Sequence, residues 1–222
     1  MNAVRQLAFA IRIAIQRPRQ LRHFARWQWS LTPDSLLATG TPWITYDATD
    51  DLAARLTPGC RVFEYGSGGS TLFWLRHGAQ VVSVEHDPRW YTRLAPLVAG
   101  ENCDYRLVEP EATDTDSLLH GEYRSADPGF ADQHFHQYVT QIDAFPDESF
   151  AIVLVDGRSR GACLRHAARK VARGGVLVLD NAERRYYLAG QDDLLASFAH
   201  QRYHGVGPGL NWMWETAIYV RR

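Results

Sequence analysis

Apolar residues recur at helical spacing near the start of the chain: Val4, Leu7, Ala8, Ile11, Ala14 and Ile15, with Arg5 and Arg12 on other faces. This spacing predicts a helix over 4–15. Pro18 interrupts it, and a stretch from Leu21 to Trp29 adds Phe24, Trp27 and Trp29. Such a helix can dock on its own domain, make a dimer contact, or lie on an anionic membrane surface. Docking is the expectation, because amphipathic helices of globular proteins mostly face a core.

From Asp47 the apolar period alternates. Helices are predicted over 50–56 and 70–77, from Asp87-Pro88 to about Leu97, and over 133–145 and 161–172. Strands are predicted over 61–65, 81–85, 105–108, 150–155 and 176–179. Residues 109–130 are polar and irregular, long enough for a functional loop or lid. Apolar strands separated by helices imply a parallel sheet buried on both faces, an α/β doubly wound architecture. The tail differs. Segments 201–206 and 214–220 flank Gly207-Pro208-Gly209 and read as an antiparallel pair at the sheet edge.

At 222 residues, with 45% hydrophobic and 22% charged positions, the chain suits one α/β domain plus an extension. The expected division is a basic N-terminal helical extension over 1–40 and a ligand-binding domain over 41–222. The net charge of −1 carries no bias toward nucleic acid, so no nucleic-acid partner is expected. Residues 1–33 nevertheless hold Arg5, Arg12, Arg17, Arg19, Arg22 and Arg26 with no acidic residue. Three scattered cysteines, Cys60, Cys103 and Cys163, form neither a metal spacing nor a disulfide framework. No signal peptide or membrane span is evident, so a cytoplasmic location is expected.

In a parallel sheet, ligands sit beyond the carboxyl ends of the strands where strand order reverses. Glu64-Tyr65-Gly66-Ser67-Gly68-Gly69-Ser70-Thr71 stands at such a place, after a strand and before a helix. Two details argue against a dinucleotide. The third glycine of that fingerprint falls at Thr71, and Glu64 would place an anion near a pyrophosphate. An anion there suits a ligand carrying an ammonium and a sulfonium. Glu85 ends the second strand, where a carboxylate can accept both hydroxyls of a ribose. The charges select a cationic nucleoside.

Glu64-Tyr65-Gly66-Ser67-Gly68, followed by Ser83-Val84-Glu85-His86-Asp87, resembles the first two motifs of class I S-adenosylmethionine-dependent methyltransferases. The likeness covers roughly residues 41 to 222, and the string from Thr41-Pro42-Trp43 to Asp180-Asn181 resembles a bacterial branch of that family. The resemblance implies a mostly parallel, Rossmann-like seven-stranded sheet with an antiparallel edge strand, and S-adenosylmethionine as cofactor. It implies that Glu64 and Gly66 to Gly68 hold the methionine moiety and Glu85 the ribose. Ser70 and His86 complete that set, with Glu109 toward the adenine.

Asp156 and Asp180-Asn181 each follow an apolar strand, so these three side chains converge on one rim as the candidate catalytic groups. The pair also resembles the divalent-metal ligands of catechol and caffeoyl-coenzyme A O-methyltransferases. Neighbouring arginines compete with a metal for those carboxylates, so Asp156, Asp180 and Asn181 are metal ligands only as the less favoured reading. Arg158, Arg160, Arg184 and Arg185 can instead form forks for a carboxylate or phosphate on the substrate, or pair internally. His134 and His136 are candidate base or lid contacts, and Trp212 and Trp214 candidate pocket walls. The expected activity is O-methylation of a small-molecule acceptor, sugar-like, saccharide or acidic. The competing readings are a non-catalytic nucleoside-binding protein and an NAD(P)-dependent oxidoreductase on a similar sheet; the Tyr-x-x-x-Lys pair of the latter is not found.

Overall fold

The computed structural model describes residues 3–32, 35–112 and 118–222. Part of the predicted loop, 113–117, lies outside the described residues. Helices α1 (Ala3–Gln16), α2 (Phe24–Trp29), α3 (Ser35–Thr39) and α4 (Tyr46–Arg55) precede the sheet. Then β1 (Arg61–Tyr65), α5 (Gly69–Arg76), β2 (Gln80–Glu85), α6 (Pro88–Val98) and β3 (Cys103–Leu107) build the first half. A small hairpin-like pair, β4 (Glu111–Ala112) and β5 (Gln133–His134), brackets α7 (Leu118–Tyr123). After it come α8 (His136–Thr140), β6 (Phe150–Val155), α9 (Arg160–Ala167), β7 (Val171–Asp180), α10 (Asp192–Leu195), β8 (Phe198–Gly205) and β9 (Trp214–Arg221).

The seven-stranded sheet has the order β3-β2-β1-β6-β7-β9-β8. Strands β3, β2, β1, β6 and β7 are parallel; β9 runs antiparallel between β7 and β8. Order reverses between β1 and β6, which puts the ends of these two strands side by side. Pleating sends alternate residues to opposite cores. Phe63, Tyr65, Val153 and Val155 face α8 and α9, whereas Val62, Ile152 and Leu154 face α4 and α5. A third cluster of Phe9, Ile13, Trp27, Tyr46 and Val206 fastens the N-terminal arm.

Several expectations change: 109–130 carries β4 and α7, and the helix predicted over 161–172 ends at Ala167, with Val171 and Ala172 opening β7. The predicted helix over 133–145 is instead β5, α8 and a 3₁₀ turn at Gln141–Ala144, because Gln133 and His134 pair with Ala112 and Glu111 across the loop. The first helix of the domain starts four residues early, at Tyr46, where that ring is buried in the arm's cluster. Long-range packing sets both boundaries, which helical period cannot register.

Candidate active site

A cavity of about 570 Å³ opens at the strand ends where order reverses. One wall is the turn after β1. Gly66 sits at φ +90°, and a Cβ there would stand 2.9 Å from the backbone of Gly157, at the tip of β6. Glycine at both positions lets the two strand ends touch. The turn is then tied down from several sides. Gly68 N donates to Thr71 Oγ1 at 3.0 Å, and Trp90 Nε1 donates to the Ser67 carbonyl at 2.8 Å.

The two acids flanking this turn have opposite environments. Glu64 is fully buried beneath it and accepts from the Thr71 hydroxyl, from Ser83 Oγ at 2.7 Å and from Trp74 Nε1 at 3.0 Å. Burial raises its pKa, with those hydrogen bonds opposing. Glu64 is not among the residues lining the cavity. Its carboxylate supports the turn from below. Glu85 lines the cavity and accepts four hydrogen bonds: Oε2 from Ser67 N at 3.0 Å and Ser67 Oγ at 2.7 Å, Oε1 from His86 N at 2.8 Å and Asp87 N at 2.9 Å. Burial would raise its pKa, but the pairing with His86 and the amide and hydroxyl donors hold it below the usual range. His86 Nδ1 also lies 2.8 Å from Oε1. The Ser67 hydroxyl has a second partner, Tyr105 Oη at 2.8 Å, and Tyr105 stacks on Tyr91 at 4.5 Å.

Opposite the turn stands a charged cluster. Asp156 and Asp180, at the tips of β6 and β7, bracket the buried Arg160 guanidinium. Its Nη2 lies 3.0 Å from Asp156 Oδ1 and donates to the Asp156 carbonyl at 2.7 Å; Nη1 donates to the Asp180 carbonyl at 2.5 Å; Nε donates to the Gly157 carbonyl at 3.0 Å. Asp180 Oδ1 accepts from Trp214 Nε1 at 2.9 Å and Thr216 Oγ1 at 2.6 Å. Burial raises the pKa of both aspartates, and Arg160 opposes the shift in each. Asp156 retains a fifth of its side-chain surface toward the cleft, whereas Asp180 is closed off.

The structure therefore gathers Gly66, Ser67, Gly68, Ser70, Glu85, His86, Asp156, Asp180, Asn181, Arg158, Arg160 and Arg184 around one cavity, and leaves Glu64, Glu109 and Arg185 outside its lining. Glu109 is exposed beyond β3. Arg185 is exposed and 3.9 Å from Glu215. Arg160 lines the cavity but is spent clamping two strand tips, which corrects its reading as a substrate fork. The same guanidinium occupies the space between Asp156 and Asp180, so the metal reading of these acids with Asn181 does not fit the donor set. Arg158 bridges Asp127 Oδ2 at 3.0 Å and His86 Nε2 at 3.2 Å, and lies 5.1 Å from the Phe130 ring. It thereby holds part of the 109–130 segment over the cleft. Arg184 is exposed at the rim, its Nη1 donating to Tyr187 Oη at 3.4 Å. His134 and His136 lie outside the lining, His134 being buried 3.4 Å from Glu111.

Trp212 and Trp214 do wall the cavity. Sequence reasoning did not single out Trp43, Trp90, Phe130 or Leu210, which line it too. Trp90 had a local signal, three residues after the Asp87 that caps α6. The others arrive on loops distant in sequence.

No family model matches the chain, and no curated protein matches its sequence. Among solved structures it resembles a methyltransferase-like protein from Silicibacter pomeroyi, at 22% identity over 79% of this chain and 86% of that one, with a TM-score of 0.50. It also resembles the 1,6-didemethyltoxoflavin-N1-methyltransferase of Burkholderia thailandensis, solved with 1,6-didemethyltoxoflavin and S-adenosylhomocysteine. That likeness is 14% identical, covers 100% of this chain and 91% of the other, and has a TM-score of 0.50. The sheet order, the reversal point and these neighbours agree: the chain has the Rossmann-like fold of the class I S-adenosylmethionine-dependent methyltransferases.

Proposed function

We propose that the chain is an S-adenosylmethionine-dependent methyltransferase that methylates an oxygen of a small, acidic or sugar-like acceptor. One observation carries this reading: Glu85 beside the glycine turn and Asp156 at the tip of β6 face the same cavity from opposite walls. With Asp156 holding its proton and Arg160 set against Asp180, the remaining charges of the lining are Glu85, Asp87 and Glu183 against Arg158 and Arg184, an excess of carboxylate that favours a cationic ligand.

S-adenosylmethionine, when bound, supplies an electrophilic methyl group on a sulfonium whose neutral thioether then leaves with the electron pair. Glu85 would hold the ribose hydroxyls. Its four acceptor positions are already filled, so the Ser67 hydroxyl is the donor to be exchanged, because Tyr105 offers it an alternative partner. The Gly66–Gly68 turn would border the methionine end, its own amides being committed to Val84, Glu85 and Thr71. Asp156, once deprotonated, takes the acceptor's hydroxyl proton, Asp180 positions it through Arg160, and Asn181 beside them lines the cavity. Trp43 and Trp212, both half-exposed at the mouth, offer flat apolar faces for a sugar or ring, with Arg184 beside them for an acidic group.

Calorimetry with S-adenosylhomocysteine and with NAD tests the reading directly. Binding of the first and not the second is expected. A well-folded protein that binds neither S-adenosylhomocysteine nor S-adenosylmethionine would refute it.

A further inference from the structure

Helix α1 uses two faces. Phe9 and Ile13 are buried against Trp27, Tyr46 and Val206, which satisfies the docking expectation. Among the described residues, nothing covers the opposite face. Val4 is 75% exposed, Leu7 62%, Ile11 50% and Ile15 76%, and all four fall on one stripe at helical spacing. Four large aliphatic side chains in one exposed row are more than scattered surface hydrophobicity. Arg5 and Arg12, seven residues apart, run along one edge of this row. Where the row ends at Ile15, the chain borders a cavity of about 450 Å³ whose wall carries Arg17 and Arg19, with Arg22 paired to Asp47 at 2.7 Å and Arg202 to Glu215 at 2.5 Å. Trp29, at the end of α2, is 76% exposed.

We propose that this arm docks on the surface of an anionic lipid bilayer, with α1 lying in the plane of the interface and Val4, Leu7, Ile11 and Ile15 turned into the acyl boundary. Charge complementarity selects the bilayer over a second copy of the chain. An antiparallel two-fold pairing of α1 stripes would set the arginine edges of two helices against each other, and α1 itself contains no acidic side chain to neutralise them. A bilayer rich in phosphate headgroups supplies that counter-charge. The helix is about 21 Å long, short of the bilayer's hydrocarbon thickness, so it lies on the surface. No helix among the described residues is long and apolar enough to cross a membrane.

The contact also reaches the cleft. Trp27 Nε1 donates to the Leu210 carbonyl at 2.6 Å and Gly209 N donates to Ser30 Oγ at 2.9 Å, and Leu210 lines the cavity. Docking of the arm therefore fixes where the cleft mouth stands relative to the surface.

The test is co-sedimentation of the full chain with phosphatidylcholine vesicles, with and without phosphatidylglycerol, at low and high salt. Binding is expected only to the anionic vesicles, and weaker at high salt. Ile11→Glu with Ile15→Glu should reduce partitioning at least about tenfold. Arg12→Glu, which leaves the stripe intact, should reduce it by more than the roughly fivefold expected per lost arginine charge, since the sign reverses. Both variants alter exposed positions, and unchanged melting temperatures show that the fold is kept. Equal binding to neutral and anionic vesicles, or variants that partition like the wild type, would overturn the proposal. So would a concentration-dependent dimer that Ile11→Glu with Ile15→Glu dissolves while the wild type ignores vesicles.

Discussion

Glu64 and Glu85 flank one glycine turn, and their surroundings give them different work. Three donors converge on the fully buried Glu64, so Glu64→Ala orphans the Thr71 hydroxyl, Trp74 Nε1 and the Ser83 hydroxyl. A loss of about 3 kcal/mol in urea unfolding is expected. Glu64→Gln should leave S-adenosylhomocysteine affinity within about threefold, because this side chain does not line the cavity, whereas Glu85→Ala should weaken it at least about tenfold, read by calorimetry. Arg160 is likewise a support. Arg160→Ala removes the cation between Asp156 and Asp180 and orphans the carbonyls of Asp156, Gly157 and Asp180, and should lower stability by about 3 kcal/mol in the same unfolding measurement. Asp156, with its pKa raised by burial, must lose its proton before accepting another. Under the proposed chemistry the turnover of a hydroxyl acceptor therefore rises with pH in the neutral range, and Asp156→Asn abolishes that rise.

At the scale of elements, the site depends on how closely β1 and β6 approach at their ends. Gly66→Ala adds a Cβ 2.9 Å from Gly157 and forces alanine to φ +90°. About 2–3 kcal/mol of stability should be lost, and ligand binding with it, measured by thermal shift with and without S-adenosylhomocysteine. Helix α2 and the turn between β8 and β9 form a second coupled pair through Trp27, Ser30, Gly209 and Leu210. This pairing explains why an arm that precedes the sheet in sequence helps shape the cleft.

At the scale of the molecule, titration links the site to stability. Asp156, pushed up to about 8, and Asp180 hold protons in the folded state that the unfolded chain releases near pH 4. The folded state binds more protons above that pH, so their contribution is fully present below about 4 and is lost as pH rises through the folded values. Asp47 and Glu85 have lowered values and act oppositely: their contribution is present above about 4 and lost as pH falls. Urea midpoints should therefore peak at mildly acidic pH and decline toward pH 8. Asp156→Asn should flatten the alkaline limb and leave the acid limb in place.

The alternation of apolar strands with helices, the glycine turn after 61–65 and the acids at strand tips were readable from local pattern, since a buried parallel strand must be apolar throughout and ligands gather where such strands end. Period alone also showed that α1 is amphipathic. Which of two similar carboxylates faces the cavity was not readable, because Glu64 and Glu85 differ only in the donors that folding brings to them from α5, β2 and the turn. The same holds for Arg160, whose four oxygen partners come from two strand tips, and for Trp43 and Leu210, carried to one rim on loops far apart in the chain. Sequence spacing records what a residue's own segment will do; solvation and partners belong to the assembled neighbourhood, and those assign each charge its role.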